Sequence, residues 1–177
     1  MRNAIRVAAV AAVGLWLAGA ALAQRRAADN ALGADSTFVK KAASGGMLEV
    51  KLGQLAADKA SNAAVRQFGQ RMARDHTKAN RQLMSILTAE GLTPPRAMLD
   101  KDVETFNHLA KLSGAAFDRA YMKHMVEDHK DDISLFQTEA KDGKDAKVKA
   151  FAEQTLPLLK EHRQLAEDTY AKVKDSK

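Results

Sequence analysis

No cysteine occurs in the 177-residue chain, which excludes disulfides, thiolate metal sites, a cysteine nucleophile and the lipid-bearing cysteine of a bacterial lipoprotein. Aromatic residues are scarce at 5% and proline occurs only three times. Sheets need a β-branched and aromatic surface that this chain supplies poorly, whereas its plentiful Ala, Leu, Lys and Gln suit helices. The predicted class is all-α. Runs of like charge are missing as well: Lys and Asp alternate, as in Lys141-Asp142-Gly143-Lys144-Asp145, the pattern of a solvated helix surface. Without a basic stripe interleaved with stacking aromatics, nucleic acid is not an expected partner. The sequence also lacks a nucleophile motif, a phosphate-binding glycine loop and a recognisable pair of glycosidase carboxylates.

One long apolar run is present. It extends without a charge from Val7 to Leu22, follows Arg2 and Arg6, and ends in Ala21-Leu22-Ala23 before Gln24. This is the pattern of a secretory signal peptide over residues 1–23, and it is shorter than the roughly 20 residues a bilayer span requires. Cleavage leaves 26 of the 28 basic side chains against 22 acidic ones, a formal charge of +4. The expected product is an exported protein of the periplasm or cell envelope. Residues 24–36 are small, polar and aperiodic, as expected of a flexible mature N-terminus.

Apolar residues then recur at steps of three and four, predicting a four-helix domain over residues 37–174. Val39, Ala42, Leu48, Leu52 and Ala56 mark a helix over about 36–61, broken at Asn62. Val65, Phe68, Met72, Leu83 and Leu87 mark a second, stopped by Gly91 and Pro94-Pro95. A short connecting helix, about 100–112, ends at Ser113-Gly114. Phe117, Tyr121, Met125, Ile133 and Phe136 carry the third long helix, about 115–140. Asp142-Gly143 makes a turn into the last, about 145–173, which Pro157 should bend. Four apolar stripes of this length are buried together only in a four-helix bundle, here two antiparallel hairpins joined by the connecting helix.

A titratable group on an apolar stripe is costly unless it has a partner, and each long helix carries one. His76 lies among Met72, Ala79 and Leu83; His129 among Met125, Ile133 and Phe136; His162 among Leu158, Leu159, Leu165 and Ala166. Glu49 lies on a face of Gly45, Gly46, Leu52, Gly53 and Ala56 that invites close helix packing. All four fall near helix midpoints, and midpoints meet in an antiparallel bundle. One carboxylate and three imidazoles make an acceptable shell for one transition-metal ion such as Zn, Cu, Ni or Fe. Asp75, Asp128 and Glu161 each precede a histidine. Consecutive helical residues point about 100° apart, so these acids are expected at the stripe edge, holding an imidazole of another helix or adding ligands. The metal-free alternative is a buried pair between Glu49 and an imidazole that fixes helix register. His108 and His124 lie off the stripes, and Met72 and Met125 are read as core residues rather than soft ligands.

Ordered segments of the chain resemble a known family: Ala42-Ala43-Ser44-Gly45-Gly46-Met47-Leu48-Glu49-Val50, Phe68-Gly69-Gln70-Arg71-Met72-Ala73-Arg74-Asp75-His76, Ser113-Gly114-Ala115-Ala116-Phe117-Asp118-Arg119-Ala120-Tyr121-Met122, Asp128-His129, and Thr155-Leu156-Pro157-Leu158 with His162. The family is the bacterial domain of unknown function 4142. The resemblance implies a ferritin-like bundle and an exported protein of a Gram-negative envelope, often labelled an outer-membrane or membrane protein, and it implies no settled activity. Ferritin-like di-iron enzymes use Glu-x-x-His on two helices. Here Ala73, Val126 and Leu159 stand three residues before His76, His129 and His162, so a di-iron oxidase is not expected.

Three functions follow from these residues. The leading expectation is a non-enzymatic metal-handling bundle. An envelope interaction module, touching membrane or cell-wall polymers through its lysines, is the alternative, and a metal-dependent oxidoreductase is the third. Nothing in the sequence specifies an oligomeric state.

Overall fold

A computed structural model describes residues 32–175. The expected signal peptide, residues 1–23, and residues 24–31 lie outside the described residues. Five α-helices follow a short 3-10 turn at Gly33–Asp35: α1 Ser36–Lys59, α2 Ala63–Ala89, α3 Asp100–Ala110, α4 Gly114–Asp142 and α5 Ala146–Val173. No strand occurs among the described residues. The hairpins are α1 with α2 and α4 with α5, and they face each other as α2 against α5 and α1 against α4. Helix α3 crosses over α1 and α4. The chain is therefore all-α, with the bundle architecture expected.

Local chemistry sets the ends. Asn62 caps α2 by accepting from the Ala64 N–H at 2.8 Å, and the Asp145 carboxylate accepts from the Lys147 and Val148 N–H groups at the start of α5. Gly91 ends α2 at φ +71°, a conformation costly for any residue with a Cβ. Helix α5 continues through Pro157 without a break.

Each hairpin turn is held by a buried aspartate of the other hairpin. Asp118 of α4 accepts from the Ser61 and Asn62 N–H groups at 3.1 and 2.7 Å. Asp35, at the entrance to α1, accepts from Lys144 N–H at 3.0 Å and Asp145 N–H at 2.6 Å. This corrects part of the flexible N-terminus expected over 24–36. Residues 33–36 are structured because the Asp35 carboxylate, only 1% exposed, satisfies backbone donors at the far turn.

The crossover is tied down in the same way. The Leu99 N–H donates to Ser44 Oγ at 2.7 Å, and the Ser44 hydroxyl donates to Asp102. Lys59 donates to the Ala110 carbonyl at 2.8 Å, with its ammonium over the Phe117 ring.

The apolar core is in two parts. One contains Leu48, Leu52, Phe68, Met72, Phe117, Tyr121, Met125 and Ala166. The other contains Phe38, Ala43, Leu83, Leu87, Ile133, Phe136, Phe151 and Leu159. Each large side chain contributes roughly 1.5–3 kcal/mol by leaving water, which drives the stripes together. The chain passes from one part to the other between Met72 and Leu83 in α2, Met125 and Ile133 in α4, and Leu159 and Ala166 in α5. His76, His129 and His162 occupy those intervals.

Candidate metal centre

Glu49, His76, His129 and His162 meet between the two halves of the core. Their exposures are 1, 5, 0 and 0%. The imidazole ring centres lie 5.6 Å apart for His76 and His129, 5.2 Å for His76 and His162, and 5.4 Å for His129 and His162. One nitrogen of each lies within 4.8 Å of the others.

The hydrogen bonds assign the tautomers. His76 Nδ1–H donates to Glu49 Oε2 at 2.7 Å, His129 Nδ1–H to the Met125 carbonyl at 3.0 Å, and His162 Nε2–H to Asp75 Oδ2 at 3.0 Å. A neutral imidazole has one donor and one acceptor nitrogen. The remaining nitrogens, His76 Nε2, His129 Nε2 and His162 Nδ1, are acceptors, and none has a hydrogen-bond partner among the described residues. Oriented imidazoles that give one N–H to a carboxylate or carbonyl and offer the other nitrogen inward are the arrangement metal sites use.

Burial sets the charge state. It pushes His76 down to about 4, against the pull of Asp128 and Asp75. His162 is pushed down to about 4 by burial and by His76. His129 falls well below its ordinary value through burial and the two neighbouring histidines. Glu49 moves the other way, raised well above the usual carboxyl range by burial and then by Asp128 and Asp102. The Glu49–His76 contact is thus a hydrogen bond between neutral groups rather than an ion pair. Asp75 differs because it is 26% exposed. Burial works upward on it, but hydrogen bonds from His162 and Arg71 outweigh that and hold it below its ordinary value.

The three acids beside the histidines take separate places. Asp75 holds an imidazole of another helix. Asp128 lies with Glu49 and Asp132, one carboxylate oxygen of each being within 4.8 Å of the others. Glu161 joins neither group: it is over half exposed and accepts from Arg71 at 2.8 Å, and Arg71 in turn donates to Asp75 at 3.2 Å. Its 100° offset from His162 turns it outward, which corrects the expectation that it would be a ligand or hold an imidazole. Asp132 carries no signal in the sequence beyond standing one turn after Asp128 on the same helix. Met72 and Met125 are buried in apolar surroundings, and Met125 serves the site through its backbone carbonyl.

The family model for domain of unknown function 4142 matches residues 20–169. The chain belongs to the DUF4142 family. No curated protein matches this DUF4142 chain in sequence. Its fold is shared by a DUF305 protein of Streptomyces coelicolor described as secreted, at TM-score 0.65 and 15% identity over 78% of this chain and 92% of that one. A DUF305 fragment from Deinococcus radiodurans is similar at TM-score 0.67 and 14% identity, over 77% and 94%. The bacterioferritin-related, dodecameric thioferritin of Bacteroides fragilis is similar at TM-score 0.59 and 17% identity, over 77% and 83%. At these identities the likeness is one of fold, and it makes the DUF4142 chain a ferritin-like bundle. Among the described residues, no helix is long and apolar enough to cross a membrane.

Proposed function

We propose that this protein is an exported, non-enzymatic metal-binding bundle that holds one divalent transition ion in its core. The observation that carries the reading is the convergence of three buried, neutral imidazoles, each with its acceptor nitrogen unpartnered and its other nitrogen fixed by a hydrogen bond. Nitrogen donors with one carboxylate oxygen suit Zn, Cu, Ni or Fe. With Glu49 as the fourth donor the shell is full, as in structural and storage sites, and keeps no open position for a substrate. Export to the periplasm or envelope is supported by the signal-like residues 1–23.

Elemental analysis of the mature protein, isolated from periplasmic extract without chelators or an affinity histidine tag, tests the reading. We expect close to one equivalent of transition metal per chain, lost in H129A and H162A and kept in H108A. Absence of metal, together with no thermal shift on adding Zn, Cu, Ni or Fe salts, would overturn it and leave the cluster as a polar core.

A further inference from the structure

We infer that Glu49, Asp128 and Asp132 form a second cation site, for a hard divalent ion, that adjoins the histidine cluster and shares Glu49 with it. Three carboxylates from α1 and α4 each bring an oxygen within 4.8 Å of the other two. Left ionised, such a group is strongly self-repelling, so it must be compensated by protons or by a cation.

Among the described residues, basic side chains offset that charge only in part. Lys101, whose charge acts on both Asp128 and Asp132, is 71% exposed and bonded to Asp102 at 3.3 Å. His124, one turn before Asp128 on α4, offsets its charge only in part.

A second observation points to a ligand. Glu49 is 1% exposed, and while His76 takes Oε2, its Oε1 has no hydrogen-bond partner among the described residues. Oε1 lies 3.4 Å from the acceptor nitrogen of His129, a contact that only a proton or a cation between the two makes favourable. Asp128 Oδ2 is likewise buried without a partner. The hydroxyl of Tyr121, a side chain 0% exposed and within the field of Glu49, has none either.

Oxygen donors only, with full negative charge, are the chemistry of Mn2+, Mg2+ and Ca2+ rather than of the ions that imidazole favours. The two clusters would thus sort two kinds of ion across one bridging carboxylate. The second site depends on the histidine reading only through Glu49.

The test is a manganese titration of the chelator-treated mature protein at about pH 8, followed by the loss of the free Mn2+ paramagnetic resonance signal. One Mn2+ per chain is expected to bind. D132N and D128N should weaken it at least about tenfold while leaving zinc stoichiometry unchanged. H162A should lose zinc and retain manganese, which separates failure of one site from failure of the other. Melting curves guard against misfolding: D132N, which replaces a carboxyl that its surroundings already drive toward the neutral form with an amide of the same shape, should melt no lower than the metal-free wild type and should lose the Mn2+-induced shift. Failure of the wild type to bind Mn2+, binding unchanged in both aspartate variants, or binding lost in H162A but kept in D132N would each overturn the proposal.

Discussion

Nε2 of His129 faces Oε1 of Glu49 at 3.4 Å, and neither atom has another hydrogen-bond partner among the described residues. Because the N–H of His129 is already given to the Met125 carbonyl, two acceptors confront each other, and only a proton or a cation between them makes the contact favourable. In the metal-free protein the proton belongs to Glu49, whose carboxyl burial raises well above its ordinary range.

Binding a metal ion must displace that proton. Calorimetric titration with zinc in buffers of differing ionisation enthalpy should therefore report about one proton released per ion near pH 7. The E49Q variant should bind more weakly and release none. A count near zero for the wild type would contradict the assignment.

Asp75 holds the orientation of His162 from outside the cluster. Its replacement in D75N keeps the shape but exchanges an ionised acceptor for a neutral amide, and it should lower metal affinity by about 10–100-fold. Competition against a zinc-binding dye would measure this. E161Q, at a half-exposed residue whose carboxylate accepts from Arg71, should change affinity far less.

Glu139 provides a pH effect remote from the histidines. Burial, then the charges of Asp35 and Asp145, push it up to about 7 from an ordinary 4.5. Its folded value lies above its unfolded one, so the stability it contributes is complete below about pH 4.5 and is lost as pH rises through about 7. E139Q should match the wild type at about pH 5 and exceed it by about 1–2 kcal/mol at about pH 8. Urea unfolding at the two pH values decides it, and an equal difference at both would be the contrary result.

Glycines on α1 should separate by what they face. A Cβ at Gly53 would stand 2.6 Å from the Gly69 carbonyl oxygen and 2.8 Å from Ala73 N, backbone atoms that cannot swing aside. G53A should cost about 1–3 kcal/mol. At Gly45 the nearest atom is Asp132 Oδ1 at 3.9 Å, so G45A should be neutral or gain up to about 1 kcal/mol from helix propensity. Equal melting temperatures for the two variants would refute the distinction.

The bundle and the meeting of Glu49 with three histidines were legible because periodicity locates a stripe and antiparallel packing aligns midpoints. Partners that depend on how hairpins sit together were not. The first helix, expected to reach residue 61, ends at Lys59 because Asp118, far along the chain, captures the N–H groups of Ser61 and Asn62. Asp35 looked like part of an aperiodic tail until the α4–α5 turn came beside it. Asp132 fell between stripe and surface, and only the third dimension sets it beside Glu49. Glu161 carried the same local signal as Asp75, a carboxylate before a histidine, yet faces solvent and Arg71.

The exchange of aspartates between hairpins has a consequence for how the molecule assembles. Either hairpin made as a separate fragment would leave its bend without its acceptor: Ser61 and Asn62 without Asp118, Lys144 and Asp145 without Asp35. Both fragments would also present half of a polar layer to water. Mixed together, they should recover helicity that neither has alone, because each supplies the clasp for the other. The smallest autonomous folding unit is the complete pair, and the crossover through α3 keeps the two partners at high local concentration while its own Leu109 adds to their core.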